Sequence, residues 1–238
     1  MQKTFQITAA VAVSALLAAP AQAALITPTL ATASSDITNN NDPVYAINES
    51  GMNFTGDKND YTNWTMSAGS GNTAQGTDWM ADNPSGVSTW LIVDLGETYN
   101  LETISIWNFN PGTTSSTYTN RSSKTVDIYT STSGVGNNSN DNNSAFDSTG
   151  WTSLASDFGL TKNPGNATVS APNGVLTGLT GVQARYVGIS VTAAQIGSRL
   201  NRAALGEVQF FGTPVPEPSS LALLAAGGLM MIKRRRRD

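Results

Sequence analysis

The 238 residues include no histidine and no cysteine. That removes Ser-His-Asp and Cys-His nucleophilic sites, and zinc, haem and iron–sulfur centres with their usual ligands. Disulfides are unused as well. Metal chemistry is narrowed to oxygen ligands, with calcium the first candidate. A glycosidase needs two opposed carboxylates, which alternating acids along one strand would supply. The acids of the apolar segments are instead isolated: Asp94, Glu97, Glu102, Asp127 and Glu207. The chain reads as non-catalytic.

Binding chemistry is better represented. Trp64, Trp79, Trp107 and Tyr118 sit among short polar residues, and "WNFNPGTTSSTYTNR" (107–121) carries Asn110, Asn120 and Arg121. Aromatic rings accept the C–H face of a pyranose, while amide, carboxylate and guanidinium groups reach its hydroxyls. The candidate ligand contacts are Trp64, Trp79, Trp107, Asn110, Tyr118 and Arg121. Polar surroundings predict exposure for Trp64 and Trp79. Trp90, and by the competing reading Trp107, would be core. Arg199 and Arg202, flanking Asn201, read as a solvated turn before the last strand. The segment "NESGMNFTGDKND" (48–60) is rich in oxygen donors, but on its own such a stretch is a turn-forming loop.

These residues hang on strands. "WLIVDLG" (90–96), "LETISIW" (101–107), "KTVDIYT" (124–130), "RYVGISVT" (185–192) and "GEVQFF" (206–211) are β-branched and aromatic runs between Gly, Asn and Pro punctuation. Ile104 and Ile106 share a face opposite Thr103, Ser105 and Trp107; Val126 and Ile128 alternate with Asp127 and Tyr129; Val187, Ile189 and Val191 alternate with Tyr186, Gly188 and Ser190. A period of two with no sustained helical period predicts an all-β, antiparallel sandwich or jelly roll with one buried face. The low-complexity stretch 131–150 reads as a surface loop with little to bury.

The two ends differ in character. Lys3, an apolar run over 7–19 and Ala21-Gln22-Ala23 predict a secretory signal peptide over 1–23, cut after Ala23. At the other end, "VPEPSSLALLAAGGLMMIKRRRRD" joins a proline-bearing tether to twelve apolar residues (221–232) and a basic block. The run is shorter than the ~20 residues that span a bilayer comfortably, so the short transmembrane helix expected here is a weak, temporary anchor with its arginines on the cytoplasmic side. Between the two lies one domain, 24–213, followed by the tail, 214–238. Without the ends the domain keeps seven basic and fifteen acidic residues, a net charge of −8. Such a surface argues against nucleic acid as a partner.

Pro216-Glu217-Pro218, the apolar run and Arg234, Arg235, Arg236 and Arg237 together resemble the PEP-CTERM sorting signal. The resemblance implies a Gram-negative bacterium, export past signal peptidase, transient anchoring in the inner membrane, cutting by an exosortase at the Pro-Glu-Pro, and delivery to the cell surface or medium. A second resemblance covers roughly 42–212. "PVYAINESGM", "STWLIVDLGETYNLETISIWNFN", "NRSSKTVDIYTSTSG", "WTSL", "ARYVGISVT" and "ALGEVQFFG" follow one another as in a discoidin-type domain, the coagulation-factor C-terminal, galactose-binding-like type shared with bacterial carbohydrate-binding modules. It implies a discoidin-like β-sandwich jelly roll with ligand loops at one end, binding an exopolysaccharide or other surface glycan. It also implies a structural calcium at Asn48, Ser50, Asp57 and Glu207. The usual Ala-x-Asp-Gly of that family is here Ala46-Ile47-Asn48-Glu49. The alternative is a matrix or adhesion protein that contacts proteins or itself.

Overall fold

A computed structural model describes residues 22–37, 41–69, 77–82, 89–139, 144–195 and 202–216. Ten strands follow in order: β1 (Ala24–Ile26), β2 (Leu30–Ala33), β3 (Met52–Phe54), β4 (Trp64–Met66), β5 (Trp79–Met80), β6 (Thr89–Asn108), β7 (Ser123–Ser131), β8 (Thr152–Gly159), β9 (Gly174–Ala194) and β10 (Ala204–Pro214). The one α-helix among the described residues is a single turn, α1 (Ser116–Thr119). The all-β expectation holds.

The two longest strands make the sandwich. Residues 89–94 of β6 pair with β2 on one side and with 186–191 of β9 on the other; β7 and then β8 continue that layer. Residues 99–108 of β6 pair instead with β10, and 99–106 also with 174–184 of β9; β1 and β5 add to β10. Both strands therefore pass from one layer to the other, and the pairing register shifts between Asp94 and Tyr99 where they do so. Strands that turn sandwich corners in this way do it through bulges. Gly96 sits at the turn with φ +90, and a Cβ there would stand 2.8 Å from Thr29 Cγ2. Asp94 fastens the corner, accepting the Gly96 N–H (2.8 Å) and the Arg185 guanidinium (3.0 and 3.1 Å).

Alternation then fills the interior. Leu91, Val93, Ile104, Ile106, Val126, Ile128, Val187, Ile189, Val191, Val208 and Phe210 meet in one apolar core. The other face of the second layer departs from the one-buried-face expectation. The β3–β4 hairpin lies over it, burying Trp64, Met66 and Trp107 together. The 131–150 loop also buries more than its composition predicts. Phe146 stacks on Tyr129 (4.8 Å between centroids) and meets Trp151 edge-on (5.2 Å), over the Cα of Gly188. One aromatic in a polar stretch is enough to pin it to the sheet.

Candidate functional site

The ends of the sandwich differ. At one end β10 begins, Leu205 pairing with Asn108 and with Trp79, and Ala204 with Met80. The polar side chains of the 107–121 segment gather there. Asn108, Asn163 and Asn173, all buried, form a network: Asn173 Oδ1 accepts from the Asn108 backbone N–H (2.7 Å), Asn163 Nδ2 donates to the Asn108 carbonyl (2.8 Å), and Asn173 Nδ2 donates to Asn163 Oδ1 (2.6 Å). Such a satisfied network fixes the strand end and the loop leaving it.

From this base the chain turns through α1. Arg121 is 6 % exposed, and its guanidinium lies 4.7 Å from the ring centre of Tyr118, which is 41 % exposed. Asp78, fully buried, accepts from Asn41 Nδ2 (3.0 Å), and the Asn41 carbonyl accepts from the Met80 N–H. Burial pushes Asp78 up to about 8, against the Asn41 hydrogen bond and the Arg121 charge. Arg121 is shifted down by burial and then by the charge of Arg202, while Tyr118 and Asp78 oppose the shift. Arg202 pairs with the exposed Asp82 at 2.9 Å. Three buried polar atoms of this cluster have no hydrogen-bond partner among the described residues: Asn41 Oδ1, Asp78 Oδ1 and Arg121 Nε. These atoms lie beneath the surface; what the end presents to solvent is the Tyr118 ring with the Arg202–Asp82 pair, an apolar face beside polar groups.

The other predicted contacts fall elsewhere. Trp64 and Trp79, expected to be exposed, are 1 % and 0 % exposed, and Trp107 is 0 %. Each indole N–H is committed inside the protein, to the Lys58 carbonyl, the Ser35 carbonyl and Gln209 Oε1 respectively. Two of the three partners come from distant segments, 44 and 102 residues away, so the short polar sequence neighbours carried no information about exposure. No face of these three rings is open to a sugar. Asn110 is also buried; its amide joins the Ser67 and Ala167 carbonyls (3.0 and 3.1 Å) and holds two loops together. Of the six, only Tyr118 keeps an exposed face; Arg121 lies buried beneath it, with Asp78, Asn41 and Arg202 gathered around. Arg202 had been read only as part of a turn. Asp78 and Asn41 carry no sequence signal beyond a lone carboxylate before a tryptophan. Arg199 and Asn201 lie outside the described residues.

The residues expected to hold calcium lie around the loop 46–60 and the start of β10. Glu207 meets the 46–51 loop, its carboxylate accepting the Glu49 N–H (3.1 Å). Asn48 Oδ1, however, accepts from its own Ser50 N–H, and Asp57 Oδ1 from the Asn59 N–H. Lys58 stands 3.7 Å from Glu49, so the cation nearest this cleft of about 420 Å³ is an ammonium. Among the described residues no three His, Cys, Asp or Glu side chains gather in one place; calcium would also draw on amide and backbone carbonyls. Of Asn48, Ser50, Asp57 and Glu207, the residues expected to hold calcium, Asn48 and Glu207 line this cleft together. Burial raises Glu207 well above the usual carboxylate range, with the Glu49 N–H opposing and the Glu49 charge adding.

At the far end of β10 the chain leaves the fold. Ala23 lies one residue before β1 and Pro216 two residues after β10. Glu217, Pro218, Arg234, Arg235, Arg236 and Arg237, and residues 1–21 of the signal segment, lie outside the described residues. Among the described residues no helix is long and apolar enough to cross a membrane.

Comparison with known proteins gives three results. No curated protein matches. Solved structures with a similar outline include the family 32 CBM from C. perfringens NanJ in complex with galactose (14 % identity, TM-score 0.43, covering 79 % of this chain and 98 % of that one). A fucolectin from striped bass (Morone saxatilis) serum is 16 % identical at TM-score 0.45, over 79 % of this chain and 46 % of that chain. The lectin binding domain of lectinolysin complexed with Lewis b is 17 % identical at 0.45, over 79 % and 95 %. At these scores the likeness is one of outline and assigns no ligand to this chain. Residues 214–237 match a family described as the PEP-CTERM protein-sorting motif. The chain thus ends in a PEP-CTERM sorting motif, which marks export and sorting to the cell envelope of Gram-negative bacteria.

Proposed function

We propose that the sorted chain is a non-catalytic carbohydrate-binding protein of the cell exterior. Its ligand would be an exopolysaccharide or other surface glycan held at the sandwich end formed by Tyr118, Arg121, Asp78, Asn41 and Arg202. The observation that carries the reading is the exposed Tyr118 ring, held from beneath by the Arg121 guanidinium. A sugar would lay its apolar face on the exposed Tyr118 ring and turn its hydroxyls to the accessible Arg202–Asp82 pair, while the buried Arg121, Asp78 and Asn41 support that surface from beneath.

A binding role also suits the carboxyl groups. The two buried ones, Asp78 and Glu207, serve different loops and share no hydrogen-bond partner, whereas hydrolysis would need a pair facing one bond. Self-association through strand edges has less support. The edge strand β8 is interrupted by two register shifts against β7 and by Asp157 at φ 50, devices that discourage strand addition.

The test is a glycan array on the mature domain, wild type and Tyr118→Ala. The exposed ring can be removed with the fold intact. Binding should weaken about tenfold, the equivalent of roughly 1.4 kcal/mol for one aromatic contact. A domain that binds no glycan, or a variant that binds as tightly as wild type, would remove the assignment.

A further inference from the structure

The direction of β10 fixes which end of the domain the tail holds. β10 starts at Ala204, beside Met80, Ser122 and the Tyr118–Arg121 end, and finishes at Pro214, paired with Tyr99. Eleven strand residues separate those ends by about 30 Å. Backbone bonding continues one residue further, the Val215 N–H donating to the Thr98 carbonyl at 2.8 Å. Only five residues, 216–220, then precede the apolar run that begins at Leu221. Fully extended they reach ~17 Å.

The N-terminus leaves from the same place. Ala24 pairs with Gly212, so the residue that follows the signal segment lies one strand spacing from the strand that leads to the tail. Edge strand β1 can therefore settle on β10 with either hydrophobic segment, or both, still in the bilayer. Neither removal would force the sandwich to open.

From these placements we propose that the end face formed by Gly96, Glu97, Thr98 and Val215 is the membrane-facing surface of the anchored protein, and that the Tyr118–Arg121 end projects away from the bilayer. The partner of this face is a phospholipid surface, imposed by a tether too short to let the domain drift from it. The far end is then presented to the exterior before the tail is cut as well as after. The inference rests on strand direction and tether length, and it stands whether or not the far end binds sugar.

The chain has no cysteine, so single-cysteine probes report one position each. Glu97→Cys and Ser116→Cys are both exposed surface changes, at the tether end and in α1 respectively. Each full-length variant would carry a fluorophore in phosphatidylethanolamine/phosphatidylglycerol vesicles containing headgroup spin-labelled lipid. The expected result is loss of emission from the probe at 97 and none from the probe at 116. Equal quenching, stronger quenching at 116, or none at either position would overturn the proposal. Cutting the tail off should abolish quenching at 97; if quenching persists, the face binds lipid without the tether and the tether does not set the orientation.

Discussion

Asp78 offers the sharpest test of the site's electrostatics. Its carboxyl is fully buried, has one oxygen without a partner, and is pushed by burial from an ordinary 3.8 up to about 8. The folded protein therefore holds a proton that the unfolded chain releases between about pH 4 and pH 8. In that window the native state binds more protons, so stability falls as pH rises, and the full penalty is reached above about pH 8. At 1.36 kcal/mol per unit, the loss attributable to Asp78 between pH 5 and pH 8 is roughly 4 kcal/mol. Asp78→Asn keeps an acceptor for Asn41 and cannot ionise. Urea unfolding of the domain, followed by tryptophan fluorescence at pH 5, 6, 7 and 8, gives the comparison. The variant should gain on wild type steadily with pH, by roughly 4 kcal/mol across the range. Glu207, raised in the same direction, is present in both proteins and cancels in the difference. A difference that stays constant with pH would refute the reasoning, because it would mean Asp78 ionises inside the fold as it does in water.

Three further outcomes are expected. Trp64→Ala, emptying the space shared with Met66 and Trp107, should destabilise the domain by about 3–5 kcal/mol in the same assay; a loss below about 1 kcal/mol would show an open ring instead. Asp94 titrates the opposite way to Asp78. Burial acts upward on it, but the Arg185 hydrogen bonds, the Gly96 N–H and the Arg185 charge prevail and hold it below the usual value. Its stabilisation is present above about pH 4 and is lost as pH falls through the folded value, so Asp94→Asn should lower the melting temperature at pH 7 and have its smallest effect at pH 2. Calcium expected at the Glu207 cleft is tested by chelator, because a native-state metal raises the melting temperature: a drop on adding EDTA supports the ion, and no change removes it.

What the sequence made legible follows from how locally each feature is encoded. The alternation at Ile104/Ile106 and Val187/Ile189/Val191 depends only on neighbours two residues apart, and those strands lie where the pattern puts them. The first half of β9, residues 174–184, was missed because its glycines and threonines dilute the pattern. The tail was legible for the same local reason, its three parts being contiguous. The site was less so. Whether Trp64 is platform or core depends on a hairpin folding over Trp107, a contact 43 residues away in sequence. Short polar neighbours suggested water, whereas the Lys58 carbonyl is the hydrogen-bond partner of that indole. Asp78, Asn41 and Arg121 come from three separate segments and meet only in the folded chain.

Amide shift mapping of the nitrogen-15-labelled domain, titrated with the glycan that an array selects, addresses the binding end most directly. The largest changes should fall on Tyr118, Arg121, Met80 and Arg202, with the residues around Thr98 and Val215 unmoved. Changes centred on the tether end, or on the Glu207 cleft, would contradict the assignment.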